Sequence, residues 1–82
     1  MNNMYDQHAS MSEEMILSKR QMQVLSLLAD GMLKKEIATQ LDISYTTVDT
    51  HIKEVYGKLK VNNAPAAISQ AYQQGLLKIG ER

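Results

Sequence analysis

Hydroxyl, carboxylate and ammonium groups recur on one side of a segment that has the pattern of a helix, Tyr45 to Leu59. At about 100° per residue, Thr46, Asp49, Thr50 and Lys53 fall on the same face, with Gly57 further along it. Lysine pairs with guanine O6 and N7, threonine contacts the thymine methyl group, and aspartate accepts a hydrogen bond from cytosine N4. The spacing therefore predicts a helix face that lies in a DNA groove.

The opposite face of the same segment is apolar and predicts a core. Its bulky members share a narrow arc and are Val48, Ile52, Val55 and Leu59. Ser44 is expected to cap the helix, and a shorter helix, Lys34 to Leu41, precedes it across a turn at Asp42 and Ile43. Together these segments predict a helix–turn–helix over 34–53 or 34–59, with a recognition helix over 45–59.

Two further helices complete an all-α prediction. Ser18 followed by Gln21 is typical of a capping box, and the helix that begins there should end near Gly31. Pro65 suits the first turn of a last helix that runs to about Gly75. The helical domain is expected over 17–79. Residues 1–16 are expected to be a flexible tail or a linker remnant, with a short helix at Ser12–Ile16 as an alternative.

The composition limits the possible functions of the 82 residues. There is no cysteine, which excludes disulfides and thiolate chemistry, and no long apolar run or signal-like N-terminus, so a cytoplasmic protein without a membrane partner is expected. The net charge is zero, although Leu17 to Val61 holds seven bases against five acids. No catalytic set or cofactor motif is expected. No metal site is expected either, because His8 stands far from His51 in the sequence. His51 is expected to pack against a neighbour that satisfies its hydrogen-bonding groups.

A longer pattern extends the helix–turn–helix prediction. Leu17, Ser18 and Arg20 with Val24 and Leu25 are followed by the run KEIA at 35–38, then by Ser44, Thr47, Val48 and His51, and then by Tyr56, Lys58 and Leu59. This order and spacing resemble the LuxR-type DNA-binding domain, found in GerE and at the C-terminus of NarL/FixJ-like response regulators. The resemblance covers about Leu17 to Leu77.

The resemblance implies a four-helix bundle in a bacterial transcription regulator that binds double-stranded DNA. It implies that the third helix reads the major groove and that the fourth pairs two subunits as a homodimer. With the groove-facing pattern, it predicts DNA contacts at Lys34, Lys35, Ser44, Tyr45, Thr46, Thr47, Asp49, Thr50, Lys53 and Lys58. Thr50 and Lys53 are the expected base readers, and the other contacts, Asp49 apart, are expected at phosphates. Packing against the preceding helix is the alternative for Tyr45. The expected dimer surface comprises Ala67, Ile68, Ala71 and Tyr72, with closure of the protomer's own core as the alternative role of this face, part of which must serve it.

The chain departs from the family pattern at several polar positions. Asp49 replaces a lysine, Lys34 and Glu54 each replace an asparagine, Lys60 a glycine, Ala64 an arginine and Gln21 a glutamate. Asp49 has two interpretations: it orients Lys53 as an i,i+4 ion pair, which is the favoured one, or it accepts a hydrogen bond from cytosine. Lys34 would offer a phosphate contact that partly offsets Asp49.

Other functions remain open at the level of sequence. A module like region four of sigma factors, which acts with RNA polymerase, shares the opening residues and the helix–turn–helix. A degenerate helix–turn–helix used for protein contact would suit the zero net charge together with Asp49, Glu54 and Ala64. The sequence also suits either a whole small regulator or the output half of a response regulator.

Overall fold

The computed structural model describes residues 16–78. Four helices follow one another in this range: α1, Lys19–Ala29; α2, Lys34–Leu41; α3, Tyr45–Leu59; and α4, Ala64–Gln73. The described residues contain no strand, so the predicted all-α fold with four helices is confirmed. Apart from Ile16, the tail expected at 1–16 and the alternative helix at its end lie outside the described residues.

Side-chain acceptors mark the starts of all four helices of residues 16–78; at α2, Glu36 Oε1 accepts from the Leu33 amide at 2.7 Å. At α1 the predicted capping box is present, because Ser18 Oγ accepts from the Gln21 amide at 3.1 Å and Gln21 Oε1 accepts from the Ser18 amide at 2.9 Å. Ser44 caps α3, and Asn63 caps α4 by accepting from the Ala66 amide. These acceptors satisfy amides that have no partner inside the helix.

Left-handed backbone ends α2 and α3. Asp42 (φ 57°) follows α2 and Lys60 (φ 60°) follows α3. Asp tolerates this conformation better than most residues, whereas a lysine with its Cβ is strained there. The turn after α2 is therefore built as the sequence predicts, and the turn after α3 places a lysine where glycine would fit more easily.

The core forms around α3, which packs against each of the other three helices. One cluster lies towards α1 and α4 and contains Leu17, Leu25, Val55, Leu59, Ala67 and Ala71. The other lies towards α1 and α2 and contains Val24, Ile37, Ala38, Val48 and Ile52. The apolar row predicted on α3 is thus buried along its whole length, and each large member contributes about 1.5–3 kcal/mol of burial free energy.

The expected dimer surface on α4 needs a correction. Ala67 and Ala71 are fully buried within the protomer, where they pack on Leu25, Val55 and Leu59. Small side chains at these positions let α4 lie close to α1 and α3. They cannot contact a second subunit, whereas Ile68 and Tyr72 of the same set are partly exposed.

Within residues 16–78, no helix is long and apolar enough to span a membrane. The same range contains no group of three or more acidic or histidine side chains arranged to hold a metal ion.

Candidate nucleic-acid interface

The turn between α2 and α3 is a tight one. The Ile43 amide donates to the Ala38 carbonyl at 3.0 Å, and the Ile43 side chain packs on the cluster that α2 and α3 share. Ala38 is 9% exposed and lies on the buried face of α2. A small residue there and an anchored turn fix α3 relative to α2, as a helix–turn–helix requires.

The outward face of α3 is polar and accessible. Thr46, Thr50 and Lys53 are exposed, while Val48 and Ile52 on the other side are fully or almost fully buried. One side of the helix is therefore occupied by the core, and the other is free to enter a groove. This division is the one predicted from the spacing.

Asp49 joins two lysines on the outward face. Its Oδ1 accepts from Lys34 Nζ at 2.7 Å, which links α3 to the first residue of α2. Its Oδ2 lies 3.0 Å from Lys53 Nζ, which is the i,i+4 pair expected from the sequence. The Lys34 contact was not expected. Lys34 therefore offsets the negative charge of Asp49 by pairing with it directly.

The pKa values of this cluster follow from its hydrogen bonds. Donation from Lys34, followed by that from Lys53, holds the pKa of Asp49 below its ordinary value. The same bond to Asp49 raises the pKa of Lys34. Asp49 is therefore ionised and Lys34 protonated at neutral pH, and the cluster of three carries one net positive charge.

The N-terminus of α3 presents several hydroxyls. Ser44 Oγ accepts from the Thr47 amide at 3.0 Å, and the two hydroxyl oxygens are 2.8 Å apart. Tyr45 is 54% exposed, and its ring centroid is 6.0 Å from Lys34 Nζ. Hydroxyls and a positive helix end favour a phosphate, and the cap hydrogen bond is compatible with such a contact.

Two of the predicted DNA-contacting lysines have different surroundings. Lys35 is exposed on α2. Lys58, near the opposite end of α3 from Ser44, donates to the Ile16 carbonyl and to Gln21 Oε1, both at 2.9 Å. Its ammonium therefore holds the segment that enters α1, and the phosphate contact expected of Lys58 stays a prediction.

A polar network between α1 and α3 was missed at the level of sequence. Gln21, which is 6% exposed, accepts from Lys58 and donates from Nε2 to Glu54 Oε1 at 3.0 Å. This bond holds the pKa of Glu54 below its usual range. Both Gln21 and Glu54 depart from the family pattern, and this pair of departures was the available signal.

His51 lies beside this network. Its Nδ1 is 3.4 Å from Glu54 Oε1, but the contact lacks the geometry of a hydrogen bond, so this buried nitrogen has no hydrogen-bond partner. His51 is packed, as expected, because its side chain is only 22% exposed. Its Nδ1 does not have the hydrogen-bond partner that was also expected.

Comparison with known families gives the decisive observation. The family model for bacterial regulatory proteins of the luxR family matches residues 15–71, more than half of the chain. The chain belongs to the LuxR family. This membership confirms the LuxR-type domain that the sequence predicts.

Curated relatives of this LuxR-family chain are themselves regulators. Response regulator protein VraR of Staphylococcus saprophyticus is 35% identical over 95% of the chain, which spans 36% of that relative. The HTH-type transcriptional regulator MalT of Vibrio cholerae is 40% identical over 70% of the chain, which spans 6% of MalT. The chain thus spans about a third of VraR and a much smaller share of MalT.

A solved structure matches the fold of the LuxR-family chain. It is the crystal structure of the response regulator ChrA of a heme-sensing two-component system, with 42% identity and a TM-score of 0.74. The match covers 76% of this chain and 31% of ChrA.

Proposed function

We propose that this LuxR-family domain binds specific DNA sites in the cytoplasm and regulates transcription there, with α3 in the major groove. The observation that carries the proposal is the two-sided α3, whose outward face holds Thr46, Thr50 and Lys53 in the open. Thr50 and Lys53 contact bases, with Asp49 between them. Phosphates are contacted by groups around the start of α2 and α3, namely the exposed Lys35, Ser44, Tyr45 and Thr46 and the half-buried Thr47.

Lys34 and Lys58, whose ammonium groups are bonded within the domain, contribute less to phosphate binding than the sequence predicts. Lys34 positions Asp49 through their ion pair. Only the part of its ammonium group that is not turned towards Asp49 faces the phosphate backbone of the DNA. Lys58 orders the entry to α1, so its contribution to phosphate binding is secondary.

Two copies are proposed to bind a roughly symmetric site through α4, with Ile68 and Tyr72 at the contact. Partial exposure of these two side chains on α4 supports this arrangement. The likeness to VraR and ChrA supports a role as the output domain of a response regulator, with RNA polymerase as a further partner.

Fluorescence polarisation with a labelled duplex across a salt series tests DNA binding. The logarithm of affinity should fall with the logarithm of salt concentration by about 0.9 for each phosphate neutralised. Lys35→Ala should reduce the magnitude of that slope by about 0.9, which corresponds to the loss of one phosphate contact. Lys78→Ala, which removes the same charge after α4, should leave the slope unchanged.

A domain used only for protein contact is the second candidate. It is favoured by one observation: Asp49 occupies two of the lysines that would otherwise face DNA. This candidate predicts that the domain binds no duplex, so the polarisation stays at the value of free duplex at every salt concentration. That result would contradict the DNA-binding proposal.

A further inference from the structure

The carboxylate of Asp49 is neutralised yet still able to accept hydrogen bonds. Each oxygen holds one ammonium, Lys34 at 2.7 Å and Lys53 at 3.0 Å. An ionised carboxylate has about four acceptor positions, so two remain. The side chain is 26% exposed on the outward face of α3, so the two lysines offset its repulsion from phosphates without covering it.

The spacing of the Asp49–Lys53 pair matches the edge of a base pair. An acceptor oxygen and a donor nitrogen lie 3.0 Å apart. In the major groove, cytosine N4 is a donor and guanine O6 an acceptor, and the N–H···O bond that joins them is about 2.9–3.0 Å long. Asp49 and Lys53 can therefore make two parallel hydrogen bonds, one to each base.

The other base pairs fit this unit less well. In a T·A or a G·C pair read in the same direction, thymine O4 or guanine O6 would face the carboxylate as a second acceptor. In an A·T pair, adenine N7 lies beside the amino group and repels the carboxylate, while the thymine methyl group takes the place of guanine N7 beside the lysine. A C·G pair alone offers a donor to Asp49 and two acceptors to Lys53.

We propose that Asp49 and Lys53 read one C·G pair as a unit, and that Asp49 is the specificity-determining residue at that position of the DNA site. The inference rests on the proposed function, because it requires α3 in the major groove. Lys34 acts as a positioning residue: it holds Oδ1, which leaves the Oδ2 edge of the carboxylate beside Lys53.

Selection from a pool of random-sequence duplexes tests the inference. The wild-type domain should enrich a C·G pair that Asp49→Asn replaces with A·T, because an asparagine amide pairs with adenine N6 and N7. Asp42→Asn is the matched control, since it removes the same charge at an exposed position whose left-handed backbone asparagine also tolerates, and it should leave the enriched sequence unchanged. Circular dichroism checks that each variant is folded.

The enriched duplex then gives a quantitative measure. Changing its C·G pair to T·A should weaken wild-type binding about 10-fold, and this ratio should fall towards one in Asp49→Ala. Asp49→Lys should bind arbitrary duplexes more tightly and with a steeper salt dependence.

The base-pair inference can fail without the failure of the proposed DNA-binding function. If wild type and Asp49→Asn enrich the same sequence, the base-pair inference is overturned while DNA binding stands. If no folded variant enriches any duplex, the proposed function fails as well.

Discussion

At the scale of single residues, Gln21 joins α1 to α3 without a charge of its own. Its oxygen accepts from the Ser18 amide and the Lys58 ammonium, and its nitrogen donates to Glu54. A carboxylate in its place would lie about as close to Glu54 as the amide nitrogen does, and like charges at that separation repel. The amide at 21 and the carboxylate at 54 therefore suit each other.

Removing the Gln21 amide should destabilise the fold. Gln21→Ala loses three hydrogen bonds at a nearly buried position, so we expect the free energy of unfolding to fall by about 2 kcal/mol. Urea denaturation measures this change. Gln23→Ala, on the exposed side of the same helix, should change it by less than about 0.5 kcal/mol, and an equal loss in both variants would contradict the role of the network.

The acidity of Glu54 predicts a dependence on pH. A carboxylate whose pKa is lower in the folded state than in the unfolded one stabilises the fold above its unfolded pKa. That stability is lost as the pH falls through the folded pKa. Since the hydrogen bond from Gln21 lowers the pKa of Glu54 from 4.5, we expect stability to decline in the acid range below that value.

Glu54→Gln should make this decline smaller. Asp49, whose pKa is also lowered, remains titratable in the variant and retains part of the decline. Urea midpoints measured from about pH 7 to about pH 3 give the comparison. The same acid dependence in wild type and variant would show that the Gln21–Glu54 bond does not form.

At the scale of elements, α3 is held at both ends and along one side. Ser44 caps its start, the apolar row covers its inner face, and Lys60 ends it in a left-handed conformation. The last of these is the weakest point, because a lysine Cβ is strained at φ 60°. Position 60 is also where the family pattern has glycine.

Lys60→Gly should therefore stabilise the domain. Relief of the left-handed strain outweighs the greater freedom of glycine in the unfolded chain, and we expect a gain of about 0.5–1 kcal/mol. Thermal unfolding followed by circular dichroism measures the gain. Lys60→Ala removes the same charge but keeps a Cβ, so it should show no gain; a gain in both variants would mean that charge rather than backbone conformation is responsible.

At the scale of the whole molecule, the core leaves α4 with little apolar surface for a partner. Ala67 and Ala71 are used to close the protomer, and the outward residues Ser69 and Gln73 are polar. An interface through α4 must therefore be small and centred on Ile68 and Tyr72. Such an interface is expected to form mainly when DNA holds two copies together.

Two negative charges on α4 should separate the copies. In a symmetric interface each added charge faces or neighbours its equivalent, so Ser69→Glu with Gln73→Glu should lower the stoichiometry on DNA from two copies to one. Sedimentation of the complex with a duplex measures it. Gln23→Glu with Gln40→Glu, exposed on α1 and α2, is the charge-matched control, and unchanged pairing in the α4 variant would place the interface elsewhere.

Local patterns were enough to predict the helices and the turn. Caps such as Ser18, Ser44 and the left-handed Asp42 act over three or four residues, and the apolar row of α3 follows from helical spacing. The pairing of Asp49 with Lys53 belongs to the same class, because residues four apart on a helix are neighbours. These features depend on short stretches of chain that the sequence displays directly.

Contacts between helices were decided only by the tertiary structure. Lys34 and Asp49 are fifteen positions apart and Gln21 and Glu54 thirty-three, so their pairing depends on how α1 and α2 pack on α3. The same packing buries Ala67 and Ala71 and removes them from the expected dimer surface. The sequence by itself determined a helix with one apolar and one polar face; the packing decided which charged groups remain open on the polar one.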